Sequence, residues 1–202
     1  MPDFTFDPIK HQYKVNGIVY PSVSQVLPYN YKGNNTEAML MGTYVHEMCR
    51  LYLLNALDEE SLDPALVPYL DAFKKFLNDS KGMGIEGVID IKSGSPHPCV
   101  ELQVPAYIEL VNHGIYMDGG TLDYTESKLL LETPMHHPVH VYCGTPDIVI
   151  GDIPVKEGFA LYLKSNGKYK LDQISNNRRN FEMFLCFLNT KKWMISKGID
   201  KE

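Results

Sequence analysis

Long apolar runs are missing from this chain. No stretch approaches the ~18 to 20 residues that a membrane-spanning helix needs, so a bilayer-embedded protein is not expected. Cysteine is scarce as well. The four residues Cys49, Cys99, Cys143 and Cys186 lie far apart and form no Cys-x-x-Cys pair. That spacing argues against a structural zinc site and against a paired-disulfide framework. It equally disfavours an iron–sulfur cluster, and reduced, mostly buried thiols are expected instead. The opening Met1-Pro2-Asp3-Phe4 lacks the basic region and apolar stretch of a secretory signal, so a cytoplasmic location is expected.

An overall positive charge is absent too: the formal net charge is −6. A uniform −6 would argue against a nucleic-acid partner, but the charge is not uniform. Residues 151–202 carry ten Lys/Arg against six Asp/Glu, whereas residues 1–150 carry nine against nineteen. A locally basic surface can engage phosphate while the remainder stays acidic, and carboxylates that hold divalent cations add to the negative sum. What is present is ordinary for a folded domain: 202 residues, 44% of them apolar, enough for one hydrophobic core.

Periodicity outlines the elements. Phe4-Thr5-Phe6, His11 to Val15 and Ile18-Val19-Tyr20 read as an N-terminal hairpin, with Asn16-Gly17 as its turn. Ser22 is an N-cap for a short helix in the segment Pro21 to Leu27. Met41, Val45, Met48 and Tyr52 recur at helical spacing over about Thr36 to Leu57. A second helix, about Pro64 to Asn78 with Asp63 as N-cap, buries Tyr69, Phe73, Phe76 and Leu77; Pro68 allows a start one turn later. Gly87 to Gly94 is a β-branched strand closed by a glycine turn. Val100 to Val111 is a helix despite Pro105, with Leu102, Ala106 and Leu110 on one face. Tyr116 to Ser127 reads as a loop. Strands follow at Lys128 to Met135 and Val139 to Gly151, turning near His137-Pro138. Phe159 to Lys164 and Tyr169 to Leu171 are strands joined by a turn at Ser165 to Lys168. A closing helix, about Arg179 to Ser196, carries Phe181, Phe184, Leu185, Leu188 and Trp193.

Four groups of residues carry chemistry. In Val88-Ile89-Asp90-Ile91-Lys92, strand alternation puts Asp90 and Lys92 on one face. Charges on an otherwise apolar strand need a partner or a purpose. One explanation is a structural salt bridge. The other is a carboxylate that holds a cation beside a lysine that orients or deprotonates water, the arrangement phosphodiester hydrolysis needs. Gly144-Thr145-Pro146-Asp147 places a carboxylate at the start of the apolar run Ile148-Val149-Ile150; alone it would be a turn or cap residue. Gly42 lies one turn before His46 on the first long helix and permits close approach of another segment, which makes His46 a nitrogen ligand candidate against a solvated-surface alternative. Gln103 and Tyr107, at i and i+4, point the same way and can both hydrogen-bond; otherwise they are a surface glutamine and a half-buried tyrosine.

Together these groups resemble the RecB-like and phage exonuclease-like branch of the PD-(D/E)XK nuclease superfamily, over nearly the whole chain. Phe6-Asp7, His11-Gln12-Tyr13 and Pro21 to Leu27 resemble its lead-in, and Asn166 to Leu171 and the Trp193 helix its closing segments. The resemblance implies an α/β (α+β) fold with a restriction-endonuclease-like core: a central mixed sheet flanked by helices, preceded by an N-terminal hairpin. Residues 1–202 would form a single domain, with 1–35 as hairpin and lead-in. It implies metal ligation by His46, Asp90, Asp147 and the Ile91 carbonyl, catalysis by Asp90, Lys92 and Asp147, and, from Gln103 and Tyr107, either organisation of the site or substrate contacts to the DNA backbone. The implied cofactor is Mg²⁺ or Mn²⁺. The implied partner is DNA, in recombination or repair of phage or prophage type, with a recombinase or single-strand-binding partner and an oligomer also within the pattern. A non-catalytic DNA-binding or assembly module is the competing reading, and it would usually lack at least one of His46, Asp90, Lys92 and Asp147.

The order of the pieces departs from the family. The aspartate strand normally precedes the D-x-K strand; here Asp147 follows it. A strand can occupy the same place in a sheet from a different chain position. The expectation is therefore a sheet that brings Asp147 within about 3 to 6 Å of Asp90, as a shared cation requires. Glu132 is a candidate outer-shell acid. His136, His137 and His140 suggest zinc, but the turn at Pro138 spoils the geometry and no nearby carboxylate completes the set. His97 reads as a loop residue beside the catalytic strand.

Overall fold

Asn16 and Gly17 take φ of 51° and 78°, the left-handed pair that a two-residue hairpin turn demands. They join β2 (Gln12–Val15) to β3 (Ile18–Tyr20), and β1 (Phe4–Asp7) pairs antiparallel with β2 on its other side. The computed structural model describes residues 4–7, 12–28, 36–112, 139–141, 148–150 and 154–199.

Ser22 caps α1 (Val23–Val26) as expected. Its hydroxyl accepts from the Gln25 N–H at 3.3 Å, and the Gln25 side chain accepts from the Ser22 N–H at 2.8 Å. Such a reciprocal pair satisfies two otherwise orphaned donors. The first long helix, α2 (Thr36–Leu53), stops a turn before Leu57, just ahead of Asn55 at φ 54°. α3 (Val67–Ser80) begins a turn later than Pro64, with Pro68 in its first turn, where a missing N–H costs nothing. Asp63 instead closes the preceding turn, accepting from the Ala65 N–H at 2.8 Å.

The remaining elements are β4 (Gly87–Lys92), α4 (Val100–Asn112), β5 (Val139–Val141), β6 (Ile148–Ile150), β7 (Gly158–Leu163), β8 (Tyr169–Gln173) and α5 (Asn177–Ser196). The five strands lie in the order β5-β6-β4-β7-β8. β4 and β7 run parallel and every other neighbouring pair is antiparallel. A mixed sheet flanked by helices, with a strand unit at the N-terminus, is the expected fold class. One element differs: the single strand expected from Val139 to Gly151 is two antiparallel strands, with Val139 opposite Ile150 and Val141 opposite Ile148. Gly144 and Pro146 fall between them, and proline has no N–H to give a ladder. The expected loop from Tyr116 and the strand from Lys128 lie outside the described residues.

Each face of the sheet has its own core. Ile89, Ile91, Phe159, Leu161 and Leu163 pack on α2 and α3 through Val45, Met48, Leu53, Phe73 and Phe76. Val88, Ala160 and Tyr162 pack on α4 through Val100, Val104, Tyr107 and Ile108. α4 sits so close to β7 that a Cβ on Gly158 would collide with the Val104 side chain. Its far end is clamped by Asn112, whose amide donates to the Val155 carbonyl at 2.8 Å and accepts from the Val155 N–H at 2.7 Å.

α5 lies outermost, on α4 and α1, so only a narrow line of it is covered. Phe184 is buried, with Phe181 and Leu188 half-buried beside it. Leu185 and Trp193 are 37% and 56% exposed. Cys49 and Cys99 are buried and Cys186 is exposed, and none of the three is in a disulfide; Cys143 lies outside the described residues. Among the described residues no helix is long and apolar enough to cross a membrane.

Candidate active site

β4 is buried along its length, and alternation sends Asp90 and Lys92 toward α4 while Ile89 and Ile91 face α2 and α3. Asp90 is 1% exposed. Its partner is the neighbour on the same face: Lys92 Nζ lies 2.9 Å from Asp90 Oδ2. The same ammonium donates to Gln103 Oε1 on α4 at 3.1 Å. Gln103 Nε2 in turn donates to the Tyr107 hydroxyl, one helical turn on. A carboxylate, an ammonium, an amide and a phenol thus form one contact relay between sheet and helix.

Burial assigns the roles within it. Gln103 is 5% and Tyr107 1% exposed, whereas 21% of the Lys92 side chain meets solvent. Of the two roles expected of Gln103 and Tyr107, organising the site or contacting the DNA backbone, this burial suits the first. Both residues lie behind Lys92 and hold its ammonium in one direction. A buried carboxylate is costly unless paired, and removing one partner of such a pair costs more than the pair contributes. The relay is therefore a tightly constrained group with one wet end, at Lys92.

Tyr162, which sequence reasoning missed, adjoins the relay. It stands opposite Lys92 in the β4–β7 register and is buried. Burial first, then the charges of Asp172, Asp90 and Glu101, push its hydroxyl above the ordinary tyrosine pKa, so it remains a neutral phenol at physiological pH. Its setting in Gly158 to Leu163, an otherwise apolar run, masks it from any pattern search.

The ligand candidates are distributed. Gly42 has the Ser93 hydroxyl as its nearest neighbour, 3.6 Å from where a Cβ would stand. α2 therefore does approach the end of β4, though the gap is an ordinary contact that does not demand glycine. His46, one turn on, is half-buried. Its helix belongs to the Ile89/Ile91 layer, while Asp90 faces the opposite layer. The Ile91 carbonyl lies on the same strand, between Asp90 and Lys92.

β6 is the immediate neighbour of β4, antiparallel, with Ile148 opposite Ile89, Val149 opposite Val88 and Ile150 opposite Gly87. β6 and β4 are thus paired as far as Ile148. Asp147 itself, with Glu132, His136 and His137, lies outside the described residues; of His140, only the pairing with Val149 is described. Among the described residues no three His, Cys, Asp or Glu side chains stand together as a metal cluster. Asp90 and His46 do not make one by themselves. His97 is an exposed loop residue as expected, and its Nδ1 accepts from the Cys99 N–H at 3.1 Å ahead of α4.

Comparisons with protein-family models, with curated proteins and with solved structures find no match to this chain.

Proposed function

We propose that this chain is a Mg²⁺- or Mn²⁺-dependent deoxyribonuclease of the PD-(D/E)XK type, hydrolysing phosphodiester bonds with a preference for DNA ends. The observation that carries this is the Lys92 ammonium held between the Asp90 carboxylate at 2.9 Å and the Gln103 amide at 3.1 Å. A lysine fixed from two sides, with its remaining N–H free to turn outward, is built to orient a water molecule rather than to fill space. The adjacency of β6 and β4 adds support, because it accounts for a D-x-K strand and an aspartate strand written in reversed order.

Asp90, the Ile91 carbonyl, His46 and Asp147 are the groups that would hold the cation, which supplies charge neutralisation at the phosphate. The chain's own residues do the rest. Lys92 binds and aims the attacking water, Gln103 fixes Lys92, and Tyr107 fixes Gln103. The cytoplasm, DNA recombination or repair, and a recombinase or single-strand-binding partner are the setting this chemistry suits.

A panel of linear and circular, single- and double-stranded DNA with Mg²⁺, Mn²⁺ or EDTA tests the proposal. We expect metal-dependent loss of linear DNA, abolished by Lys92→Ala and by Asp90→Asn. Wild-type protein that cuts none of these substrates overturns it. Binding without cutting would instead assign the chain to the second reading, a DNA-binding or assembly module that keeps the fold; the near-complete burial of Asp90 is the feature that reading would use.

A further inference from the structure

Two strands away from the relay, the sheet repeats its own chemistry. The register sets Asp90 opposite Ala160 and Ala160 opposite Asp172; it sets Lys92 opposite Tyr162 and Tyr162 opposite Lys170. Directly opposed residues share a face. β8 therefore presents a second lysine–carboxylate pair, Lys170 Nζ to Asp172 Oδ2 at 2.7 Å, level with the first. Tyr162 is the step between the two, and both Asp172 and Asp90 act on its hydroxyl.

The pairs differ in access. Side-chain exposure is 21% for Lys92 and 1% for Asp90, against 54% for Lys170 and 32% for Asp172. α4 packs over β4 and β7, while β8 is the edge strand, so its charges stay in water. An exposed pair of this kind contributes roughly 0 to 1 kcal/mol to stability, which gives the fold little reason to keep it. Charges on an edge strand do discourage addition of a foreign strand. That role needs no particular register with Lys92.

The distance suits a polyanion. Two strand spacings place the Lys92 and Lys170 backbones ~9.5 Å apart, a span of one to two phosphate steps, since the distance between neighbouring phosphates is about twice the ~3.4 Å axial rise per nucleotide. We infer that Lys170 contacts a phosphate of the bound nucleic-acid strand, which would pass from Lys92 to the sheet edge outside the part of the face that α4 covers. The inference rests on the nuclease reading for the direction of the strand. Asp172 keeps Lys170 in position before the strand arrives, and exchange of that exposed carboxylate for a phosphate costs little, since both are solvated anions.

The test is binding of the full chain to a labelled single strand of about 16 nucleotides, with Ca²⁺ in place of Mg²⁺, followed by fluorescence anisotropy across a salt series. Lys170→Ala should weaken binding alike for every sequence and flatten the slope of log affinity against log salt by about 1. Lys170→Arg should restore it. In cleavage assays the alanine variant should raise KM more than it lowers kcat. A slope unchanged in Lys170→Ala overturns the inference and leaves the nuclease reading intact. An unchanged slope accompanied by aggregation does the same and assigns the pair to edge protection. Wild-type protein with no affinity for the strand overturns it as well. A slope that falls in a protein that cuts no DNA upholds the phosphate contact and removes the nuclease reading alone.

Discussion

Ile89 and Ile91 face a predominantly apolar layer, while Asp90 and Lys92, their chain neighbours, face a layer that holds an ion pair, an amide and a phenol. The two faces of one strand are both largely covered and differently built, and only Lys92 reaches solvent. On the α2/α3 side, contacts are interchangeable in kind: Phe73 and Phe76 stack at 6.4 Å between ring centres, and Tyr169 meets Phe76 edge-on at 5.5 Å. On the α4 side the polar contacts run in a line, so each depends on the one before. Stability belongs to the first arrangement and directional chemistry to the second.

Four substitutions would break or sharpen that contrast. The largest effect is expected from Lys92→Ala, which should lower metal-dependent turnover by ~10²- to 10⁴-fold; taking the ammonium from the buried Asp90 carboxylate also costs stability, while unfolding stays cooperative in a urea titration. Phe73→Ala should show the reverse. It removes a ring from the fully covered layer, so it should cost ~3 to 5 kcal/mol in the same titration and leave the residual folded protein with near wild-type turnover. Equal losses of activity and stability in both variants would erase the distinction between the faces.

Tyr107→Phe is expected to lie between them. It leaves the Gln103 amide without its acceptor, at about 1 to 3 kcal/mol, and lowers kcat more than it raises KM, because it loosens Lys92 and not the substrate. A change confined to KM would return Tyr107 to the role of a substrate contact. Smallest of all is Gly42→Ala. Among the described residues a Cβ there meets only the Ser93 hydroxyl, at 3.6 Å, and alanine is the better helix former by ~1 kcal/mol. The variant should therefore be slightly more stable by thermal melting, with activity retained; a loss of activity would mean that α2 must approach β4 more closely when substrate is bound.

Alkaline pH offers a second comparison of the faces, through Tyr162 on one and Tyr169 on the other, both with a raised pKa. Tyr162 owes this to burial and then to Asp172, Asp90 and Glu101; Tyr169 owes it to burial and then to the hydrogen bond and charge of Asp79, 2.8 Å from its hydroxyl. A pKa higher in the folded than in the unfolded chain stabilises fully below the ordinary tyrosine value of ~10 and is lost as pH climbs through the folded value. Stability should therefore fall above about pH 10, and Tyr162→Phe or Tyr169→Phe should each flatten that limb of the curve.

Much of this was legible in the chain. Asn16-Gly17, Ser22 with Gln25, and the stripe of Phe73, Phe76 and Leu77 are local signals whose physics acts within a few residues. The pairing of Asp90 with Lys92 followed from strand alternation, and that of Gln103 with Tyr107 from helical spacing. Where a signal depended on which other segment lay alongside, it weakened. Trp193 and Leu185 have the periodicity of a buried stripe, yet α5 is an outer helix and leaves them exposed. Val139 to Gly151 reads as one strand because both halves are β-branched; only pairing across the sheet shows it to be two.

The sequence by itself determined the alternation of β4, the i, i+4 placement of Gln103 and Tyr107, and the candidate residues. Each of these depends only on backbone periodicity. Tertiary structure decided that α4 lies on the Asp90 face and α2 on the other, which joins Lys92 to Gln103 and puts His46 in the opposite layer from Asp90. It also decided that β6 inserts beside β4 and that Lys170 stands in register with Lys92 through Tyr162. Those outcomes come from sheet order and long-range register, set by how whole faces bury against one another, and no short stretch of chain encodes them.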